Sequence, residues 1–339
     1  MISVVIPVHN AAGTLRECLQ AIQGSDYVER EVIVVDDAST DSSAKVATGY
    51  ECRVVHVPEN VGAARAKNLG AKEAKGDIIL FTDGDIVLQP DTLRLVAENL
   101  QDPAVAGVVG LLGKKLRYGN FSSQFKNLWM YYTYKRLAGS PAAERVGLFF
   151  TSIASIRRDL FEQLGGFDTN YAGASVTEDI EFGQRLLSAG HQVRLDGRLT
   201  VEHLKYYSLA GLLRTDFERA FGLAKTWLRK KLQPRPQAAR QKYYASVPWF
   251  FMAGVPLAWL LPVSVALLLW VRQPLWACAS AALIYAAVLL INAPFLAELF
   301  RVRGWLFGLQ SCLFLPVDLW VSGLGAFWAI VDYLRGNKY

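Results

Sequence analysis

The chain has 339 residues, 52% of them hydrophobic, with a mean hydropathy of +0.21 and a formal net charge of +6. Its basic residues form no cluster of the kind that grips nucleic acid, and Cys18, Cys52, Cys278 and Cys312 include no Cys-x-x-Cys pair, so nucleic-acid binding, structural zinc and thiol redox chemistry are set aside. Nearly all carboxylates precede residue 244 and long apolar runs follow it, which divides the chain into a water-exposed part and a membrane part.

Residues 1–7 have no basic n-region and no long apolar core, so they read as a first strand and not as a secretory leader. Thr14 and Glu17 have the spacing of a capping box at the start of the next helix. Further strands are expected at 31–36, 53–57 and 77–82, with a helix at 61–74. Such alternation builds a doubly wound, mainly parallel sheet. These sheets bind ligands at the carboxyl ends of their strands, where this chain collects His9-Asn10, Asp36-Asp37, Pro58-Glu59-Asn60 and Asp83-Gly84-Asp85. Asp83 and Asp85 could hold a hard divalent cation against a diphosphate, although Asp-x-Asp is also a common turn.

Further along, 121–136 places Phe125, Trp129 and Tyr132 about one turn apart. Thr177 is placed to cap a helix containing Phe182, Leu186 and Leu187, with Glu178 and Asp179 in its first turn, where acidic side chains favour the helix dipole. A strand at 199–203 ends on His203. The segment 206–232 sets Leu209, Leu212, Leu213, Phe217, Phe221 and Trp227 among Arg214, Arg219 and Lys225. Both this segment and 121–136 fit either a helix in the headgroup layer or one that packs two domains together.

Three apolar segments, 247–271, 275–297 and 305–331, each reach the about 20 residues that a membrane crossing needs. Pro256, Pro262, Pro294 and Pro316 predict kinked or partly re-entrant helices. The basic stretch 225–242, with Arg229, Lys230, Lys231, Arg235 and Arg240, puts the first part of the chain in the cytoplasm by the positive-inside rule. Arg272 would then lie outside, Arg301 and Arg303 inside, and Arg335 and Lys338 outside. Asp318, costly against lipid, is expected to face the bundle or a polar cavity. The expected organisation is a domain at 1–205, an interfacial helix and basic linker at 206–243, and about three membrane helices at 244–339.

Val4-Val5-Ile6-Pro7-Val8-His9-Asn10, Val34-Val35-Asp36-Asp37-Ala38-Ser39-Thr40-Asp41, Asn60-Val61-Gly62-Ala63-Ala64-Arg65-Ala66-Lys67-Asn68 and the Asp83-Gly84-Asp85 turn occur in one order. Gly165-Gly166-Phe167-Asp168 and Thr177-Glu178-Asp179-Ile180-Glu181-Phe182-Gly183-Gln184-Arg185-Leu186 follow them. In these blocks residues 1 to about 205 resemble the family 2 inverting glycosyltransferases. The resemblance implies an α/β fold of the GT-A type, Rossmann-like with a mainly parallel sheet, followed here by an α-helical transmembrane domain. It also implies a nucleotide-sugar donor such as a UDP-sugar, and Mn2+ or Mg2+ as cofactor. By the same resemblance Asp37 bonds the base, Asp36 shapes its loop, Pro7 and His9 line the floor, and Arg65 and Asn68 reach the base and diphosphate. Asp85 is the metal ligand, with Asp83 on the ribose or a metal-bound water and His203 completing the metal site. Asp179, beside Glu178, is the base that deprotonates an acceptor hydroxyl.

A phosphate monoester, with a second pKa near 6, needs little help from a base, whereas a hydroxyl needs much more. The acidic pair therefore favours a hydroxyl on a lipid or lipid-linked glycan, with polyprenyl phosphate as the alternative acceptor. No Gln-x-x-Arg-Trp motif of the chain-extending members follows the pair, and Arg219, Lys225 and Trp227 occupy that region in another spacing, so transfer of one hexose is expected. The expected setting is a multi-pass protein of a bacterial inner membrane, with its catalytic domain cytoplasmic and a glycolipid or cell-envelope polysaccharide as product. A nucleotidyltransferase would carry a glycine-rich loop where Pro7-Val8-His9-Asn10-Ala11-Ala12 stands. A membrane scaffold that binds nucleotide sugar without turnover remains the non-enzymatic reading.

Overall fold

A computed structural model describes residues 1–138, 147–170, 177–232, 247–270 and 274–337. The run Ile2–Val8 forms β1, an interior strand of an eight-stranded sheet, and nearly all its side chains are buried because helices cover both faces. Strands β2 (Arg30–Asp37), β3 (Arg53–Val57) and β4 (Ile78–Phe81) lie parallel to it in the order β3-β2-β1-β4. Helix α1 (Ala12–Gln23) joins β1 to β2, α2 (Ser43–Ala47) joins β2 to β3, and α3 (Ala63–Glu73) joins β3 to β4. Gly70 lets α3 sit directly on the sheet, since a Cβ there would lie 2.4 Å from Val5 Cγ1 and 2.9 Å from Val35 Cγ2.

Beyond β4 the sheet turns mixed. It continues through β7 (Ala154–Arg157), β6 (Val105–Leu112) and β8 (Gln192–His203) to the short β5 (Ile86–Val87). β7 runs antiparallel to β4 and β6, β6 and β8 are parallel, and β5 is antiparallel to β8. Helices α4 (Thr92–Asn99), α5 (Phe121–Lys135), α6 (Arg158–Gln163) and α7 (Glu178–Ser188) complete this half. Phe81 on β4 packs on Phe149, Phe161 and Phe167 with ring centroids 5.1 to 6.3 Å apart, and Phe182 of α7 closes the cluster at 4.9 Å from Phe149. Such aromatic pairs each add ~0.5–1.5 kcal/mol beyond their burial, so this hub welds the acidic turn after β4 to the acidic helix α7.

The expected capping box does not form. α1 starts at Ala12, so Thr14 lies inside the first turn and donates to the Ala11 carbonyl, while Glu17 pairs with Arg117. Thr177 does stand at the N-cap of α7, with no side-chain cap bond.

The C-terminal part is helical: α8 (Leu209–Leu232), α9 (Trp249–Trp270), α10 (Pro274–Ile291), α11 (Ala293–Arg303) and α12 (Trp305–Leu334). Among the described residues α12 alone is one unbroken helix long and apolar enough to cross a membrane, and the Cys278–Ile291 and Ala293–Arg303 pair qualifies together despite a 71° bend. The segment expected as a second span is thus broken at Asn292, and α9 contributes a shorter apolar stretch, Trp249–Ser264. Arg235, Arg240, Arg272 and Lys338 lie outside the described residues.

α5 is a packing helix. Its Phe125 contacts Phe295 of α11 and Phe314 of α12, and its Trp129 contacts Phe251 of α9. α8 runs along α12 so closely that a Cβ on Gly325 would lie 2.2 Å from the Phe217 carbonyl oxygen. Leu209, Trp227 and Leu232 of α8 remain exposed, so it packs on one face and leaves apolar side chains on another. Asp318 of α12 is buried, as expected of a carboxylate that lipid would not tolerate.

Candidate active site

At the carboxyl end of β1, Asn10 adopts φ +54° and its side-chain oxygen accepts from the Thr40 and Asp41 amides at 2.8 and 3.2 Å. The β1 and β2 loops are thereby locked together. His9 Nδ1 lies 2.7 Å from the Asp37 carbonyl oxygen, which can only accept, so Nδ1 carries the proton and Nε2 is left as an acceptor for Asn10 Nδ2 at 3.2 Å. Pro7 is half-buried just before it, opposite Val35. Asp36 accepts from the Ser39 amide at 3.2 Å and faces His56 at 3.2 Å, holding its loop. Asp37 is buried, and its two oxygens accept from the amides of Val61 and Gly62 at 2.7 and 3.0 Å. It therefore fixes the entry to α3, where Gly62 needs its φ of +82°.

The face of α3 that points to the interior is Ala64, Ala66, Lys67, Gly70 and Ala71. Arg65 is exposed on the opposite side. Asn68, expected near the base and diphosphate, instead gives both ends of its amide to the backbone of Phe167, donating to its carbonyl at 2.8 Å and accepting from its N–H at 2.9 Å. Arg185 of α7 grips the same loop, donating to the carbonyls of Leu164 and Gly166 at 2.6 and 2.7 Å. Gly166, at φ +65°, is needed there because a Cβ would meet Asn68 Oδ1 at 2.6 Å.

Lys67 was not foreseen as a site residue. Its ammonium donates to Thr151 Oγ1 at 2.7 Å and to Glu178 Oε1 at 2.9 Å, with both charged side chains almost fully buried. Burial opposes its charge, but Glu178, Asp83 and Asp179 together raise its pKa above the ordinary lysine value. A lysine on an otherwise small-residue buried stripe was the one signal in the sequence that could have revealed it.

Asp179, the neighbour of Glu178, is buried, and its Oδ1 accepts from the Ile180 amide at 2.7 Å. Burial and the charge of Glu178 push its pKa up to about 7, against the opposing pull of Lys67 and Arg219. The helix N-terminus does not by itself keep this carboxyl ionised, because desolvation outweighs the dipole here.

The antiparallel pairing of β5 with β8 sets Ile86 opposite His203, which brings His203 Nε2 to 3.4 Å from Asp85 Oδ2. Burial would raise the Asp85 pKa, but the hydrogen bond and charge of His203, with Lys205, hold it below the usual carboxylate value. Asp83 turns the other way, its Oδ2 accepting from Ser152 Oγ at 2.7 Å. Among the described residues no three His, Cys, Asp or Glu side chains converge as a metal cluster. Asp85 and His203 do converge, and one carboxylate with an imidazole suits an ion that takes its other ligands from phosphate oxygens and water.

The family model described as "Glycosyl transferase family 2" matches residues 3–165. The glycosyltransferase GlyG of Streptococcus pneumoniae is 32% identical over 138 residues, covering 39% of this chain and 44% of that protein. An N-acetylglucosaminyltransferase of Mesorhizobium japonicum is 35% identical over 34% of this chain and 29% of its own length. The chain therefore spans less than half of these two relatives. The glycosyltransferase AglE of Haloferax volcanii is 24% identical over 75% of this chain and 81% of its own. Among solved structures, the mannosyltransferase PcManGT from Pyrobaculum calidifontis, in complex with GDP-Man and Mn2+, superposes with a TM-score of 0.62 over 96% of this chain and 87% of that one, at 21% identity. That likeness extends the shared GT-A fold through nearly the whole chain. With the matched family model and the ordered strand-end motifs in agreement, residues 3–165 form a glycosyltransferase family 2 domain.

Proposed function

We propose that the chain is an inverting glycosyltransferase that moves one sugar from a nucleotide-sugar donor, with a UDP-sugar as the expected form, to a hydroxyl of a lipid or lipid-linked glycan. The observation that carries this reading is Asp179: a buried carboxyl poised at about 7, next to a Glu178 braced by Lys67. A base works best when its pKa lies near the working pH. Lys67 senses Asp83 as well as Glu178 and Asp179, and the adjacent residues Thr151 and Ser152 bond Lys67 and Asp83, which supports one site for the acidic turn and the acidic pair.

In this mechanism Asp179 takes the proton of the acceptor hydroxyl as that oxygen bonds to the anomeric carbon. The bond from that carbon to the diphosphate oxygen breaks on the opposite face, and its electron pair leaves with the nucleoside diphosphate, so the configuration inverts. Lys67, anchored on Thr151 Oγ1, donates to Glu178 and so occupies that carboxylate while Asp179 takes the proton. Asp85 and His203 would hold Mn2+ or Mg2+, which when bound supplies Lewis-acid stabilisation of the departing charge. Asn10, Asp36 and Asp37 shape the donor floor together with Pro7 and His9, and Arg65 is the exposed cation at its rim.

The acceptor arrives from a membrane in this reading. Leu275, Leu283, Leu290, Leu306, Leu313 and Leu334 are each more than 70% exposed, an apolar surface that water alone would not favour. The 30 residues of α12 rise about 45 Å, enough for a hydrocarbon core of about 30 Å. Lys231 and Arg229, at the end of α8, support a cytoplasmic catalytic domain.

The test is transfer by the purified full chain in the presence of native lipid extract, Mn2+ or Mg2+ and a panel of nucleotide sugars, with products read by mass spectrometry. Asp85→Asn should fold yet lose metal-dependent transfer. Full activity in that variant would overturn the metal role, and no product with any donor would favour a non-catalytic scaffold.

A further inference from the structure

Arg219 of α8 is a half-buried guanidinium whose Nε is sealed from solvent with no hydrogen-bond partner, and among the described residues no carboxylate pairs with it. Its obvious partner, Asp216 three residues back on the same helix, is taken by Lys126 of α5. The ring of Trp129 carries both cations, with Lys126 Nζ 5.2 Å and Arg219 Cζ 5.0 Å from its centroid. Stacking fixes the plane of a guanidinium while leaving its N–H fork unused, and that fork matches a phosphate. A guanidinium N–H sealed from water with no acceptor is costly, and no carboxylate is in ion-pair contact with it among the described residues, so its place implies an anion supplied from outside the chain.

We propose that Arg219 binds a phosphate group carried by the lipid-linked acceptor; this rests on the transferase reading above. One packing contact and one charge effect locate the site. The α12 backbone touches α8 at Phe217, two residues from Arg219, so Arg219 lies in the turn of α8 that packs beside the apolar helix α12. The charge of Arg219 also acts on Asp179 and on the buried Tyr207, and Tyr207 senses Asp85 in turn, so Arg219 belongs to the same charged neighbourhood as both. Lys126 keeps Asp216 from neutralising it, so the fork stays available until the acceptor arrives.

The test is binding of three probes to the purified full chain in detergent micelles by calorimetry: a short-chain prenyl phosphate, the matching prenyl alcohol, and pyrophosphate with Mn2+. The native chain should bind the prenyl phosphate at least tenfold tighter than the alcohol. Arg219→Gln should erase that preference, Arg219→Lys should keep part of it, and pyrophosphate should bind all three proteins alike. The proposal is overturned by a native chain with no preference, by a preference that survives Arg219→Gln, or by a matching loss for pyrophosphate, which would assign Arg219 to the donor. Should Arg219→Gln fail to fold, Arg219→Lys decides, since keeping the charge but losing the fork must still weaken the phosphate probe selectively. No sugar transfer is needed, so a negative result leaves the transferase reading standing, and loss of that reading leaves the binding preference measurable.

Discussion

Replacing Asp179 with Asn should stabilise the protein in a pH-dependent way while removing its activity. Burial and Glu178 raise the Asp179 pKa from 3.8 to about 7, whereas in the unfolded chain it returns to the ordinary value. Between those two pH values the unfolded state has released a proton that the folded state retains, so stability falls as pH rises. At about 1.4 kcal/mol per pH unit the loss accumulates to as much as about 4 kcal/mol by pH 7 and stays lost above it. Asn matches the protonated carboxyl in shape and cannot ionise. The variant and the native chain should therefore unfold alike near pH 4, and the variant should be the more stable by up to about 4 kcal/mol at pH 8. Denaturant titrations of the purified chain in micelles, followed by fluorescence across that range, measure the difference. A gap that is the same at pH 5 and pH 8 would refute the reasoning, because only a buried, raised carboxyl makes it grow.

Lys67→Met leaves Glu178 buried without its cation, a loss of about 3–5 kcal/mol for a broken buried pair, and it should move the acid limb of kcat/KM upward from about 7 because a charge that lowers the Asp179 pKa is gone. A pH–rate profile with an unmoved limb would separate Lys67 from Asp179. Gly325→Val drives a Cβ into the Phe217 carbonyl, so α8 and α12 must part, at a cost of about 1–3 kcal/mol in thermal unfolding. An unchanged unfolding temperature would mean that the two helices do not touch there.

Much of the donor half is legible from residues alone. The strand at Ile2–Val8 lies where expected, and Arg30–Asp37 and Ile78–Phe81 differ from expectation by one residue at each end, because a strand in a covered parallel sheet is a near-continuous apolar stretch; Arg53–Val57 also lies where expected, although it is an edge strand with Arg53 and His56 exposed. Val105–Leu112 carries the same apolar signal, whereas Ala154–Arg157 is four residues of mixed character whose antiparallel pairing depends on a partner about 50 residues away. Local motifs were the weak point. Thr14 and Glu17 fit a capping pattern, but the helix begins two residues earlier, at Ala12. The site shows the same division. The strand-end carboxylates stand out by position, whereas Lys67 with Glu178 and Asn68 with Phe167 join residues about 100 apart, which spacing cannot register.

The Lys126–Asp216 pair and the Gly325 contact tie the middle turns of α8 to α5 and to α12 at once. Exchanging α8 alone with that of a relative would strand a buried lysine on α5 and push a new side chain against the glycine seam of α12. Three distant stretches, 121–135, 209–232 and 305–334, therefore form one inheritable unit, and chimeras meant to alter the molecule on which the sugar is placed should move all three together.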